Sequence, residues 1–345
     1  MAKRIAYTIR DVARLARVSV STASAVVNQK DIVSPELRNR VQQAIQAMGY
    51  SPNQGARGLR IGRTHIIGMV VPDITNPFYV ELMRGVEDEA IATGYELMLC
   101  NSNDESSLES RHFNALRAQR VDGILFAPSD SFSAHAAMAR SHVPVVLMDC
   151  IPIGAEVSCG CVSSDNLEAA YEATKYLIGL GHRRIAVISG RRVYSTTLDR
   201  IEGCQKAIRE AGLPLREEFT WPGDSHIEIG YTYGVKLLQS SEPPTAIFAL
   251  NNRMTLGVLR AFSELGIACP GRVSLISFDD TDWADVFNPS ITAIAQPTYQ
   301  MGKSAVELLV QYIEAEEEEG ELQPKQVVLK STLRIRKSTG PPPEA

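Results

Sequence analysis

The sequence contains no run of about 18 consecutive apolar residues, the shortest that spans a bilayer as a helix, so no membrane segment is expected. Basic residues open the chain without an apolar segment behind them. A secretory leader is therefore not expected either, and the cytoplasm is the expected compartment. Cysteine is sparse: Cys100, Cys150, Cys159, Cys161, Cys204 and Cys269 are scattered, mostly within apolar runs. That pattern suits reduced thiols rather than a disulfide framework. Cys159 and Cys161 form the one close pair, and no further ligand follows at the spacing a metal site needs, so neither metal nor cofactor is expected. Also missing are a G-x-G-x-x-G after the first strand, a phosphate loop and a G-x-S-x-G elbow, which removes the usual nucleotide-dependent and serine-hydrolase chemistries. The six histidines are dispersed. His182, within Gly181-His182-Arg183-Arg184, reads as structural, and no catalytic residue is expected.

What is present is a chain of 345 residues, 44% hydrophobic and 22% charged, long enough for two or three domains. The net charge of −5 would by itself argue against nucleic acid, but it is unevenly spread. Residues 1–63 hold 11 Lys and Arg against Asp11, Asp31 and Glu36, a balance of +8, which leaves −13 for the remainder. A small basic head on a large acidic body is what a chain shows when one end meets phosphates and the other does something else.

The head has its own helix grammar. Thr8 with Asp11 fits a capping box, and Ile9, Val12, Ala13 and Ala16 recur at helical spacing, so a short helix begins at Thr8 and stops near Arg17. Ser19 can cap a second helix, with Val20, Ser21, Thr22 and Ala25 on or near its exposed N-terminal half. Ser34-Pro35-Glu36 then opens a third helix from Pro35 to Met48, buried through Leu37, Val41, Ala44, Ile45 and Met48 and ended by Gly49. Three short helices on one core, the second flanked by Arg10, Arg14 and Arg17, have the helix-turn-helix shape that enters the DNA major groove. A plain helical hairpin would share the same pattern.

From Thr64 onward short apolar strands alternate with helical stretches, the signature of parallel-sheet α/β units. Strands are expected at 66–71, 95–100, 123–127 and 143–149, and a second series at 185–189, 246–250 and 273–278. A helix is expected from Pro77 to Ala92. Two doubly wound lobes follow, with a ligand cleft at the C-terminal ends of their strands.

One stretch between head and body is specific. Tyr50-Ser51-Pro52-Asn53, then Ala56-Arg57-Gly58-Leu59, then an Ile-Gly strand, following a helix-turn-helix, resembles the LacI/GalR (lactose-repressor) family of transcriptional regulators, and the likeness extends to about Lys337. The resemblance implies a helix-turn-helix domain at 1–50, a hinge at 51–63 and a periplasmic-binding-protein-like body at 64–337 that binds effector and dimerises. It places chain crossings near residues 163, 291 and 323, so that one lobe is about 64–163 with 292–322, and the other about 164–291 with 323–337. Strands 327–329 and 333–336 would then finish the second lobe, and 338–345 would be a flexible Pro-rich tail. That tail lacks heptads, so a homodimer is expected rather than a tetramer.

By the same resemblance Val20, Ser21 and Ala25 fall on base-reading positions, and Thr8, Ser19, Thr22 and Asn28 on phosphate-contacting ones. In the hinge, Asn53, Ala56, Arg57 and Leu59 would meet the minor groove, Leu59 as the wedge that parts a base step while cations neutralise phosphates. An alanine at 25 can touch a thymine methyl but cannot bond a guanine edge. The effector contacts implied are Asn76, Phe78, Asp149, Arg200 and Asp279, with Arg200 in the family's Arg-x-x-Gly. The segment Asn251-Asn252-Arg253 replaces the commoner Asn-Asp pair, and Arg191 and Arg192 stand at another strand end. Asn252 and Arg192 are therefore added to the expected contacts, with an anionic effector such as a sugar acid or sugar phosphate. The partners expected are double-stranded operator DNA and a carbohydrate-derived small molecule. A solute-binding protein of sugar transport, or a sugar-active enzyme, would share the two-lobed body.

Overall fold

The structure is a computed structural model that describes residues 7–28, 31–50, 63–129, 143–150, 159–215, 220–222, 225–317 and 323–344. It divides into two units, residues 1–64 and 65–345. The expected hinge contacts Asn53, Ala56, Arg57 and Leu59 lie outside the described residues.

The first unit holds α1 (Ile9–Ala16), α2 (Val20–Val27) and α3 (Pro35–Met48). Val12, Ala13 and Ala16 of α1 pack with Ala23 and Val26 of α2 and Val41 and Ala44 of α3. Small residues at these positions let three short helices close on a core of little volume. Helix α1 ends at Arg17, whose φ of 53° turns the chain, and Gly49 ends α3 at φ 58°. A helix end leaves its last carbonyls without intrahelical partners. Arg40 of α3 supplies them, its Nη2 donating to the carbonyls of Ala16 at 2.6 Å and Arg17 at 2.9 Å.

The second unit is built on two six-stranded sheets. In chain order its elements are β1 (Ile66–Val71), α4 (Pro77–Ala92), β2 (Glu96–Asn101), α5 (Ser106–Ala118), β3 (Gly123–Phe126), β4 (Val145–Met148) and β5 (Gly160–Ser164). Then come α6 (Asn166–Gly179), β6 (Ile185–Ser189), α7 (Ser195–Glu210), β7 (Thr220–Pro222), α8 (Ile227–Leu238), β8 (Ala246–Ala249) and α9 (Asn252–Leu265). The last are β9 (Ser274–Phe278), α10 (Asp282–Val286), β10 (Thr292–Ala295), α11 (Thr298–Glu317), β11 (Gln326–Leu329) and β12 (Thr332–Arg334). The first sheet runs β11-β5-β4-β3-β1-β2 and the second β12-β10-β9-β8-β6-β7. The two orders correspond strand for strand. Their central strands are continuous apolar runs because helices cover both faces, as parallel sheets require.

Two expectations are corrected. Strand β10 pairs with β9 in the second sheet and β11 with β5 in the first, so the chain passes between lobes after β5, after β10 and after β11. The boundaries expected near 291 and 323 were therefore early. The apolar pattern marks strands without saying which sheet takes them, and the pairing is decided by which edge is open. The tail beyond residue 337 is also not loose as far as Glu344. Ser338 is fully buried, its hydroxyl donating to the Leu275 carbonyl at 2.6 Å and accepting from the Thr292 amide at 2.8 Å.

His182 holds the same segment. A carbonyl can only accept, so the 2.9 Å contact to the Gly340 carbonyl puts the proton on Nε2 and leaves Nδ1 to accept from Thr245 at 2.9 Å. Burial pushes this imidazole's pKa below its ordinary value, because a charged ring there would lose its hydration. Its contribution to stability is full above about pH 6.5, the ordinary value, and is lost as the pH falls towards the lowered folded value. His182→Gln is expected to reduce the difference in urea midpoint between about pH 7.5 and about pH 5, compared with the wild-type protein.

Glycines set the helix crossings. A Cβ at Gly257 of α9 would lie 2.1 Å from the Ile227 carbonyl oxygen of α8, and one at Gly302 of α11 would lie 2.2 Å from that of Leu82 of α4. Backbone cannot yield as a side-chain tip can, so Gly257→Ala is expected to destabilise the body by roughly 1–3 kcal/mol in denaturant titration. Gly179, which has open space around it, is the control: Gly179→Ala is expected to leave stability unchanged or raise it by about 0.5–1 kcal/mol.

Candidate ligand cleft and DNA-binding head

At the C-terminal ends of the strands lies a cavity, open on one side and lined by both lobes. Read from its second strand, each sheet has the order 2-1-3-4-5, which reverses beside its first strand and leaves a crevice there. Asp149 follows β4 and Asp279 follows β9, the corresponding strands of the two sheets. Both carboxylate residues sit at positive φ, 66° and 73°, a conformation that Asp tolerates better than most side chains.

Arg200, 8% exposed on α7, lies in the same cavity. Its guanidinium rests 3.6 Å above the Phe278 ring, with Nε donating to Asn166 Oδ1 and Nη1 to the Leu250 carbonyl, both at 2.7 Å. It opposes the charge of Asp149 and Asp279 without cancelling the cost of burying them. Burial, opposed by Arg200 and added to by Asp279, pushes the Asp149 carboxyl up to about 6. Burial raises the Asp279 carboxyl too, although Gln296 Nε2 donates to it at 2.6 Å. Asp149 Oδ2 has one long contact, from the Tyr79 hydroxyl at 3.5 Å. Its buried Oδ1 has no hydrogen-bond partner among the described residues.

Of the expected contacts, Asn76, Phe78, Asp149, Arg200 and Asp279 line this cavity. Asn76 also caps α4, accepting from the Phe78 amide at 3.1 Å. Two expectations are corrected. Arg192 is exposed and is not among the lining residues, because α7 begins three residues later and the chain carries 192 outward. Asn252 is buried but turns its amide to Asn76 at 2.8 Å, while its neighbour Asn251 lines the cavity. Asp73, Tyr79, Asp104, Tyr194, His226 and Gln296 line it unforeseen. Gln296 could have been found as the residue after an apolar strand, had 292–295 been read as one. Tyr194 and His226 carry no comparable signal.

The lining bears on the charge expected of the ligand. Among the described residues, four carboxylates, Asp73, Asp104, Asp149 and Asp279, face the cavity against two guanidiniums, and that of Arg253 is paired with Asp73 at 2.9 Å. A surplus of negative charge does not favour an anion. Cys150, which lines the cavity, is a poor nucleophile: burial pushes its thiol up to about 11. No group of acids, histidines and cysteines fit to hold a metal occurs among the described residues.

In the head, Thr8 donates from both its amide and its hydroxyl to Asp11 Oδ2, at 2.9 and 2.7 Å. The Thr22 amide donates to Ser19 Oγ at 3.0 Å, the capping contact expected for α2. Val20 and Ser21 are exposed, as are Arg10, Arg14 and Arg17. Asn28 is half-buried and closes α2 by donating to the Ser24 carbonyl at 2.7 Å. Ala25 corrects the sequence reading: at 8% exposed it is buried rather than on the exposed half of α2. The surface offered by α2 is thus its first turn, where its free N–H groups also lie.

The buried carboxylate makes a direct test of the cavity's electrostatics. Because the folded state raises the Asp149 pKa, the ionised form is disfavoured in the fold above about pH 6, and that penalty fades as pH falls towards the ordinary 3.8. Asp149→Asn is therefore expected to stabilise the body at pH 7.5 by roughly 1–3 kcal/mol, in urea titrations without added ligand. The gain should shrink between about pH 6 and about pH 4.

Comparison with known proteins accounts for both units. Residues 64–331 match the family model described as periplasmic binding proteins and sugar binding domain of LacI family, and residues 8–53 that of bacterial regulatory proteins, lacI family. The chain is similar to catabolite control protein A of Priestia megaterium, 36% identical over 334 residues, covering 96% of this chain and 99% of that one. It is similar to the HTH-type transcriptional repressor PurR of Vibrio vulnificus (strain CMCP6), 34% identical over 95% of this chain and 99% of the relative. Among solved structures, the transcriptional regulator CelR in complex with cellobiose superposes with a TM-score of 0.73 at 31% identity, covering 96% of this chain and 100% of that one. These relatives are regulators of transcription rather than enzymes, and the chain belongs to the lacI family of bacterial regulatory proteins.

Proposed function

We propose that the protein is a homodimeric, cytoplasmic repressor of transcription whose grip on a near-palindromic operator is set by a small, neutral, polyhydroxylated ligand in the cleft between its lobes. The observation that carries the ligand's chemistry is the buried Asp149 Oδ1 without a partner among the described residues, beside a second buried carboxylate and one guanidinium. A buried acceptor without a partner calls for a donor, and adjacent hydroxyls of a sugar supply donors to carboxylates and acceptors to Arg200 together. Phe78 gives the ring an apolar face. A carboxylate or phosphate on the ligand would bring further negative charge to a cavity that already has a surplus. The cellobiose bound by CelR supports a neutral sugar, and the repressor role of PurR supports the direction of control.

The reading of the head follows from its exposed surface. Val20 and Ser21 meet base edges, and Thr8, Ser19, Thr22 and Asn28 hold phosphates. Asn53, Ala56, Arg57 and Leu59 of the hinge enter the minor groove. Dimerisation is supported by exposed apolar residues on the body, beside a groove with a largely polar lining. Val80 and Trp283 line a groove, Phe287 packs edge-on to Trp283 at 5.6 Å, and Val286 beside it is 80% exposed. Exposed apolar side chains gathered in this way suit an interface. Effector coupling of about 1–3 kcal/mol would suffice, since that changes DNA affinity roughly 5- to 150-fold.

The test is selection of bound DNA from a random pool, with and without neutral sugars and their corresponding sugar acids. Recovery of a symmetric site whose retention responds to a neutral sugar is expected. A response confined to the acids would overturn the ligand class, and no recovered site would overturn the DNA-binding reading. On the recovered site, Leu59→Ala is expected to weaken binding by about tenfold or more, while binding to unrelated DNA changes less than about twofold. Gel-shift titration reads both.

A further inference from the structure

The lobes are joined by more than the chain. Arg253, in the first turn of α9 in the second lobe, sends Nη1 across the cleft to Asp73 Oδ2 at 2.9 Å and Thr75 Oγ1 at 3.0 Å, on the loop that follows β1 in the first lobe. Asn252 reaches Asn76 Oδ1 of the same loop at 2.8 Å, and the Tyr194 hydroxyl of the second lobe donates to Asp104 Oδ1 of the first at 3.3 Å. Of these, Asp73 with Arg253 joins full charges of opposite sign. Asp73 is held ready for it: its Oδ1 accepts from the Thr75 amide at 2.8 Å and the Thr75 hydroxyl at 2.6 Å, which leaves Oδ2 for the other lobe. The two side chains are 25% and 27% exposed, so solvent and salt reach the pair but screen it less than a surface pair.

We propose that the Asp73–Arg253 ion pair is a latch between the lobes: it favours the closed cleft by protein contacts alone, so a ligand enters or leaves when the pair parts. Arg253 then governs the balance between closed and open cleft, and through it the rate and affinity of ligand binding, while remaining outside the Asp149–Arg200–Asp279 centre. Part of that assignment comes from the guanidinium itself. Its Nη1 is shared between two acceptors on the opposite lobe, and its buried Nε has no hydrogen-bond partner among the described residues. Its bonds to Asp73 and Thr75 therefore hold the far lobe. The consequence for ligand rests on the proposed function of the cleft, but the latch does not, and it can be tested with no ligand added.

The measurement is the distance between the lobes by double electron–electron resonance on the full chain. Bio-orthogonal labels at the exposed positions Ser107 and Arg192 report it, with labelled protein diluted into unlabelled so that only distances within one chain are read. The wild-type protein is expected to show a dominant short distance. Asp73→Asn, which keeps the acceptor for Thr75, and Arg253→Gln should each increase the longer-distance population several-fold. The double variant should do no more than either single one, because two partners of one contact act as a unit. Raising NaCl from about 50 mM to about 1 M should open the wild-type cleft and leave the double variant unchanged. Single variants with the wild-type distribution, additive effects in the double variant, or equal salt responses in both would each overturn the latch. A wild-type cleft that stays closed through the salt titration would overturn the latch even if a variant fails to fold.

Discussion

One buried guanidinium facing two buried carboxylates is the constraint from which the rest of the body follows. Arg200 cannot move far to meet a ligand, since the Phe278 ring lies beneath it and Asn166 and the Leu250 carbonyl hold its nitrogens. Asp149 and Asp279 are fixed at strand ends by positive φ. Taking these groups from water is costly, and a single cation does not offset two anions. The fold tolerates the arrangement because both sheets are otherwise apolar through their central strands. Rigid polar groups in an unfavourable balance are what a binding site needs, at some cost in stability.

The two halves of the body repeat one plan. Strands β4 and β9 occupy corresponding places in the two sheets, and each delivers an aspartate into the cleft directly after its last apolar residue. The helix pairs repeat as well. A tyrosine hydroxyl donates across each close crossing to a carboxylate: Tyr171 to Glu210 and Tyr231 to Glu264, both at 2.6 Å, and Tyr299 to Asp88 at 2.8 Å. At the first two a cation lies over the ring, Lys206 at 4.5 Å and Arg260 at 4.2 Å. Glycine lets the backbones approach, and the tyrosine seals the rim of the contact. One solution to helix packing thus serves three times on different sides of the sheets.

Much of this could be read from the residues. The helices of the head, the span Pro77–Ala92 and most strands follow from caps and periodicity, because each such signal is local. The aspartates at strand ends and Arg200 were legible through the motif that carries them. What escaped depends on contacts distant in sequence. Strand partnership of β10 and β11 is settled by which sheet edge remains open, which no local pattern encodes. Ser338 looks like tail composition but fills a socket formed by Leu275 and Thr292. Arg253 was read as a cation for an anionic ligand, yet it faces Asp73, 180 residues away in sequence. Ala25 was placed by its position in a motif, and its exposure depends on packing that the motif does not describe.

The passage of the chain between lobes after β5, β10 and β11 has a consequence for biosynthesis. Each sheet receives an edge strand from the far end of the polypeptide, β11 beside β5 and β12 beside β10. A nascent chain leaving the ribosome can therefore complete neither lobe until residues 326–340 have emerged, and His182 waits for Gly340 across 158 positions. The head, whose core lies within residues 12–44, has no such delay. A DNA-binding module can thus be finished while the sensing half of the same molecule is still open at both sheet edges.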